Sequence, residues 1–242
     1  MKVLGLETST LIGSVALIDS NGNCHEEAWD VGSAHSDAVF GSIDRILIRA
    51  KAHASDIDAV AVSLGPGSFT GIRIGVTIAR TLGQVLGKPV AGISTLDVLA
   101  HNVAVSDVLI CPVIDALRAE VYTALFEYSG KEKKLKKLTD YSIVEVDKLK
   151  SWIYSKNKKR YKHIVLVGPA LDKYENILRE KFKKTAVMGN KKDLFPHAST
   201  VAELGAKAVV DRRAQSWNKI LPLYIRRSEA EVKWDQRNKV KK

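Results

Sequence analysis

The stretch "SLGPGSFTGIRIG", residues 63–75, contains four glycines and one proline in thirteen positions. It continues an apolar run, "DAVAVSL" (58–64), and overlaps "GIRIGVTIARTLGQVLG" (71–87), whose apolar residues recur at helical spacing. We therefore predict a buried strand, a tight turn and a helix that ends near Gly87. A glycine turn in this position either binds phosphate through its backbone amides or lets chain segments pack closely.

Three ligand-binding motifs resemble this turn in part, and none fits it. A P-loop requires Lys-Ser or Lys-Thr after its last glycine, whereas "GIR" (71–73) stands here. A dinucleotide fingerprint requires G-x-G-x-x-G, whereas Gly65, Gly67 and Gly71 are spaced one residue too far. A nucleophile elbow requires G-x-S-x-G, whereas Ser68 lies in G-S-F-T-G. The turn is therefore expected to serve packing rather than phosphate binding.

Small residues continue along the helix after the turn. Gly75, Ala79 and Gly83 recur every four residues, which places them in one ridge on one face. A ridge of small residues lets another backbone come close. The sequence leaves open whether that backbone belongs to the protein's own sheet or to a partner's helix.

Outward from this stretch, the first half of the chain predicts a regular order of elements. Three antiparallel strands come first, then a helix, the buried strand, the helix after the glycine turn, a further strand and a further helix. Their predicted ranges are 2–9, 14–19, 24–30, 33–52, 58–64, 71–87, 89–93 and 94–105.

A similar order begins again in the second half. Strands are predicted at 107–116, 120–128, 141–146 and 163–168, helices at 147–155, 170–182 and 200–212, and an extended end at 220–227. The repeat is one of architecture and not of residues. The order βββαβα in each half predicts two α/β lobes, at residues 1–105 and 106–242, with the C-terminal end able to pack back on the first lobe. This is the actin-like fold, which sugar kinases and Hsp70 proteins share.

Charge is distributed unevenly between the two halves. The net charge is +11; residues 1–129 contain 8 Lys/Arg and 14 Asp/Glu, whereas residues 130–242 contain 30 and 13. Lysine clusters at 131–137, 156–162 and 181–184 carry much of the excess. A weak contact between the basic second half and tRNA is one interpretation, and a set of solvated faces is the other.

Several protein classes are not favoured by the sequence. No apolar run approaches the roughly 20 residues that span a bilayer, and the start, "MKVLGLETST", resembles a strand and not a signal peptide. The two cysteines, Cys24 and Cys111, lack metal-ligand spacing, so we expect a reduced, cytoplasmic chain. The six histidines include no pair four residues apart, the spacing that holds a metal on a helix.

The stretch 63–75 closely resembles the signature of the bacterial TsaB (YeaZ) family, which acts in tRNA threonylcarbamoyladenosine biosynthesis. Further segments resemble the family in the same order: "LGLETST" with "GSVAL", "AHSDAVFGSIDRIL", "PVAGISTLDVLA", "DALRAEVYTALFE" and "PLYIRR". One residue departs from the family pattern, because Leu117 stands where an arginine is expected and Arg118 follows it. The lysine-rich insertions and the tail after Arg227 have no counterpart that we can place.

The resemblance implies a role as a partner subunit. In this family the TsaD-type transferase carries the metal and modifies adenosine 37 of tRNA, a TsaE-type ATPase is the third component, and TsaB is catalytically silent. We accordingly expect no catalytic residue, no metal and no cofactor in this chain, and no membrane association. A homodimer of the free protein is one alternative that the sequence leaves open. The alternative is an actin-like nucleotide-binding ATPase or peptidase with an activity of its own.

Two sets of residues follow as candidates. The expected partner interface consists of one face of each of the first two helices: Val39, Phe40, Ile43, Phe69, Ile74, Gly75, Ile78, Ala79, Leu82 and Gly83. The candidates for weak nucleotide or cleft contacts are Glu7, Thr8, Asp115 and Arg118. For Asp115, Arg118 and Glu120 we favour a structural cluster of salt bridges near the cleft over catalysis.

Overall fold

Strand pairing divides the protein between two sheets. The computed structural model describes residues 1–30, 35–103, 105–130, 134–157, 161 and 163–226. The first sheet has the order β3-β2-β1-β4-β5, in which β1, β2 and β3 are antiparallel and β4 and β5 run parallel to β1. Its strands are β1 (Val3–Glu7), β2 (Ile12–Ile18), β3 (Cys24–Asp30), β4 (Ala59–Ser63) and β5 (Val90–Ile93). The helices of this half are α1 (His35–Arg49), α2 (Phe69–Leu86) and α3 (Thr95–Asn102).

The second sheet repeats this core arrangement. Its main path is β10-β7-β6-β11-β12, and β8 pairs with both β6 and β9. The strands are β6 (Leu109–Asp115), β7 (Glu120–Thr123), β8 (Phe126–Ser129), β9 (Lys134–Lys137), β10 (Ser142–Glu145), β11 (Ile164–Val167) and β12 (Ala186–Met188). The helices are α4 (Leu149–Lys156), α5 (Ala170–Phe182) and α6 (Ala198–Val210). The predicted actin-like α/β fold with two related lobes is thereby confirmed.

The second sheet departs from the prediction at two places. The single strand predicted over 120–128 is divided into β7 and β8, because the backbone N–H of Leu125 bonds to the Thr139 hydroxyl at 3.0 Å and leaves the strand ladder. Strands β9 and β12 were not predicted. The sequence of β9 is "KLKK", and lysines of this kind are typical of a sheet edge, where they discourage pairing with other chains.

Helix α6 belongs to the first lobe by its packing. It lies against β1, β2 and β4, with Val201 and Ala202 fully buried. The approach is close, because a Cβ atom on Gly205 would lie 2.3 Å from the Cβ of Ala61. The C-terminal end of the predicted second lobe therefore returns to the first sheet.

The small-residue ridge of α2 faces the protein's own first sheet. A Cβ atom on Gly75 would lie 2.3 Å from Thr8 Oγ1, and one on Gly83 would lie 2.5 Å from the side chain of Val90. Ala79 is fully buried in the same core. The prediction that these three residues contact a partner is therefore wrong, and the alternative that they pack on the sheet is correct.

This packing predicts the effect of a charge on the ridge. Replacing Ala79→Arg places an unpaired cation in a dry core, so the free energy of unfolding should fall by about 3–5 kcal/mol or the chain should not fold. The matched control is Thr77→Arg on the exposed face of α2, which should fold with little change. Urea unfolding followed by circular dichroism measures both variants. An A79R protein as stable as T77R would show that the ridge does not lie in the core.

Candidate functional site

A cleft between the lobes holds a cavity of about 360 Å³. The first lobe lines it with the loop after β1, including Ser9 and Leu11, and with Gly67 and Ser68 of the glycine turn. The second lobe contributes Asp115 at the end of β6 and the start of α5. In open α/β sheets this edge, at the carboxyl ends of parallel strands, is where ligands bind.

Two amides of the glycine turn are hydrogen-bonded within the protein. The Ser68 N–H donates to the Ser9 carbonyl oxygen at 2.7 Å, and the Gly71 N–H donates to Ser68 Oγ at 3.2 Å. Ser68 is therefore the N-cap of α2. A Cβ atom on Gly67 would lie 2.1 Å from the Ser9 oxygen, so only glycine fits there. The turn thus binds the loop after β1, which is the packing role expected from the sequence.

The structure places Glu7 and Thr8 beneath the cleft and not in it. Glu7 is fully buried and accepts hydrogen bonds from the Ser9 N–H at 2.6 Å, the Ser9 hydroxyl at 2.5 Å and the Ser63 hydroxyl. Thr8 Oγ1 donates to the Gly71 carbonyl oxygen at 2.8 Å. Burial raises the pKa of Glu7 to about 7. Both side chains are therefore part of the wall that supports the turn.

Asp115 does lie in the cleft, and it is paired with α5. Its carboxylate accepts from Lys173 Nζ at 2.8 Å and from the Tyr174 hydroxyl at 3.2 Å. The following residues 117–119, which include Arg118, have left-handed backbone angles, with φ between 54° and 62°. Glu120 forms its ion pair with Arg226. Asp115 and Glu120 therefore each form an ion pair with a residue outside the expected cluster.

Few of the expected interface residues reach the surface. Val39, Ile43 and Ile78 are buried, and Ile74 and Leu82 are partly buried in the first-lobe core.

Two of the expected interface residues are exposed, Phe40 at 49% and Phe69 at 44%. Phe69 stacks on Tyr224, with ring centroids 5.1 Å apart, and the Arg73 guanidinium lies 3.8 Å from the Phe69 ring centroid. The sequence analysis did not identify Tyr224 or Arg73, because Tyr224 is 155 positions from Phe69 and only the fold brings them together. The exposed face at the start of α2 is thus an aromatic and cationic surface.

Within the described residues, no group of three or more His, Cys, Asp or Glu side chains is close enough to hold a metal ion. Among the same residues, no helix has the length and low polarity needed to cross a bilayer.

The buried carboxyl of Glu7 predicts a pH-dependent stability. In the unfolded chain Glu7 ionises near pH 4.5, whereas in the fold it ionises near pH 7. Because the folded pKa is the higher one, the wild-type protein should lose on the order of 3 kcal/mol relative to Glu7→Gln as pH rises through this window.

Denaturation at pH 4, 5, 6, 7 and 8 measures this difference. Glu27→Gln is the control, because the hydrogen bond from Arg45 lowers the pKa of Glu27, and its difference from wild type should not move in that direction. An E7Q advantage that stays constant with pH would contradict the buried, protonated carboxyl.

Comparison with known proteins agrees with this architecture. The family model for TsaD, described as tRNA N6-adenosine threonylcarbamoyltransferase, matches residues 30–234. The chain is 28% identical to the tRNA threonylcarbamoyladenosine biosynthesis protein TsaB of Bacillus subtilis, over 99% of this chain and 100% of that protein. It is 30% identical to TsaB of Buchnera aphidicola subsp. Schizaphis graminum, over 82% of this chain and 90% of that protein.

A solved structure gives the same result for the fold. A Pseudomonas aeruginosa protein described as similar to peptidase YeaZ superposes with a TM-score of 0.79 at 23% identity, over 93% of this chain and 99% of that one. The sequence relatives cover almost the full length of the chain, and the structural match covers both lobes. The chain therefore belongs to the TsaB (YeaZ) family.

Proposed function

We propose that this protein acts in tRNA threonylcarbamoyladenosine biosynthesis as a non-catalytic scaffold that binds and activates a TsaD-type transferase. Its relatives in Bacillus subtilis and Buchnera aphidicola are named as biosynthesis proteins of this modified nucleoside. The match to the TsaD family model supports an origin shared with the transferase itself. In this proposal a TsaE-type ATPase is the third component of the assembly.

One observation carries the non-catalytic part of the proposal. Backbone amides at a strand-to-helix turn bind phosphate only when they point at the ligand unpaired. Here the Ser68 amide is bonded to Ser9 and the Gly71 amide to the Ser68 side chain. The cleft carboxylate of Asp115 is neutralised by Lys173. Two amides of the turn and the carboxylate of the cleft are thus engaged within the protein.

The partner surface in this proposal lies on the exposed parts of α1 and α2. Phe40 and Phe69 expose nearly half of their surface, and Leu11, in the loop between β1 and β2, is 68% exposed. Aromatic side chains and arginine dominate the energetics of protein interfaces, and Arg73 lies over Phe69. The free protein would use the same surface for its homodimer, so that binding the transferase would dissolve that dimer.

A weak tRNA contact through the second lobe is compatible with this role. Lys134, Lys136 and Lys137 of the edge strand β9 are all exposed. Residues 131–133, 158–160 and 162 of the lysine clusters lie outside the described residues. The positive charge of this half would attract the phosphate backbone without reading its sequence.

The cavity in the cleft favours the second candidate function, an actin-like ATPase or peptidase, because its volume admits a small ligand. We expect the purified chain to hydrolyse ATP no faster than a heat-inactivated sample, since the Ser68 and Gly71 amides of the turn are hydrogen-bonded within the protein. Phosphate release at millimolar ATP and Mg²⁺ measures this. Turnover that is lost in Asp115→Ala would favour the enzyme over the scaffold.

The interface proposal predicts which exposed residues matter. Phe40→Asp and Phe69→Asp should fold normally and weaken transferase binding by about tenfold or more, because each removes an apolar anchor. Ile48→Asp and Val85→Asp are matched controls, since both lie on the exposed faces of the same two helices outside the proposed contact. Binding is measured by calorimetry with the host's TsaD-type protein. If all four variants bind as the wild type does, the interface lies elsewhere.

A further inference from the structure

A second cavity, of about 590 Å³, shares no lining residue with the cleft. It is formed by the end of β5, the helices α3 and α6, the hairpin of β8 and β9, and the segment 221–223. Its volume lies within the range of small-molecule sites, which is roughly 300–1,000 Å³. Nothing in the proposed scaffold role uses it.

The deep end of this cavity has unused hydrogen-bonding capacity. Ser94 is the N-cap of α3, yet its hydroxyl makes no capping bond, and Ser94 Oγ is buried with only a contact to the Tyr141 hydroxyl that falls short of full hydrogen-bond geometry. His101 Nδ1, one turn further on from Asp97, is also buried, and its contact with the Asp97 backbone falls short of full hydrogen-bond geometry. Buried polar atoms are nearly always paired in native proteins. Their location in one cavity therefore points to a polar ligand group.

Asp97 completes this polar end. Its carboxylate accepts a hydrogen bond from the Tyr141 hydroxyl at 2.9 Å. Burial raises the pKa of Asp97 and lowers the pKa of His101, so the imidazole is neutral at pH 7. A neutral imidazole offers one donor and one acceptor. Together with the Ser94 hydroxyl, these groups match the mixed donors and acceptors on the edge of a nucleobase.

The walls of the cavity are apolar and partly aromatic. Phe126 is buried, and Leu135, Leu204 and Leu223 are partly buried beside it. The Tyr141 ring closes one side. Such walls suit a flat ring, because aromatic and aliphatic side chains stack on base faces without selecting hydrogen-bond patterns.

The rim carries positive charge. Lys134, Lys137 and Lys207 line the cavity and are exposed, and none forms an ion pair with another described residue. Lys137 Nζ lies 3.8 Å from the ring centroid of Tyr141, which holds it at the opening. A phosphate at the rim would be bound by charge-assisted hydrogen bonds from these ammonium groups.

We propose that this cavity binds a nucleoside phosphate, with the base against Ser94, Asp97 and His101 and the phosphate on the rim lysines. The ligand comes either as a free nucleotide or as an unstacked nucleotide of a single-stranded RNA, since both carry this chemistry. The site acts within the isolated chain and does not depend on the scaffold role.

Calorimetry on the full-length protein tests the site with three probes: adenosine 5′-monophosphate, inorganic phosphate and a pentamer of oligoadenylate. The monophosphate should bind at one site per chain and at least about tenfold more tightly than inorganic phosphate, because the base adds contacts. The variant Lys134→Glu/Lys207→Glu should lose about tenfold or more in affinity, since it removes two charge-assisted contacts. Lys184→Glu/Lys191→Glu changes the net charge equally, away from the cavity, and should bind as the wild type does.

Ser94→Ala tests the deep end. The affinity of this variant for the monophosphate should fall several-fold while its melting temperature changes little, because the contact of Ser94 Oγ with the Tyr141 hydroxyl falls short of full hydrogen-bond geometry. Oligoadenylate that binds more than about tenfold tighter than the monophosphate identifies RNA as the source; otherwise the source is a free nucleotide. Equal affinity for monophosphate and inorganic phosphate, or equal losses in the two lysine double variants, would overturn the site.

Discussion

The close approach of α2 to the end of β1 is the constraint on which the first lobe depends. Added Cβ atoms on Gly67 and Gly71 would lie 2.1 Å from Ser9 O and 2.0 Å from Thr8 O. One turn further on, Gly75 meets the Thr8 side chain in the same way. The chain can therefore pass from β4 into α2 at this distance only because these positions carry no side chain. The glycines of the turn are a steric requirement of the fold.

The same approach also engages part of the glycine turn. The carbonyl oxygen of Ser9, in the loop after β1, accepts the Ser68 N–H that would otherwise point into the cleft. Glu7 is drawn into the core below that loop, where three hydrogen bonds offset part of the cost of burying a carboxyl. The packing of the turn on the loop after β1 and the burial of Glu7 are thus parts of one arrangement.

The C-terminal segment joins the two lobes after the second sheet is complete. Ile220 is buried in the first-lobe core, and the Leu223 N–H donates to the Leu64 carbonyl oxygen at 2.8 Å. Arg226 then pairs with Glu120 of the second lobe. Since Leu221, Pro222 and Leu223 also form one wall of the second cavity, the segment that fixes the lobes also shapes that site. The extended end and its return to the first lobe were expected from the sequence, whereas its pairing with Glu120 of the second lobe depends on the fold.

Strands and helices that depend on local periodicity could be predicted from the sequence. Contacts that depend on which segments pack against each other could not. The strands β1 to β4 and the helix α2 follow from apolar spacing and the glycine turn. The ridge of Gly75, Ala79 and Gly83 could not be assigned a packing partner. Small residues every four positions allow a helix to pack closely on the protein's own sheet or on a helix of a partner protein. The cleft shows the same limit: Glu7 ends a strand in sequence much as Asp115 does, yet Glu7 points into the core and Asp115 into the cleft. Which way a strand's last carboxylate points is set by the loop packed on it, and for Glu7 that loop is held by glycines some 60 residues further along the chain.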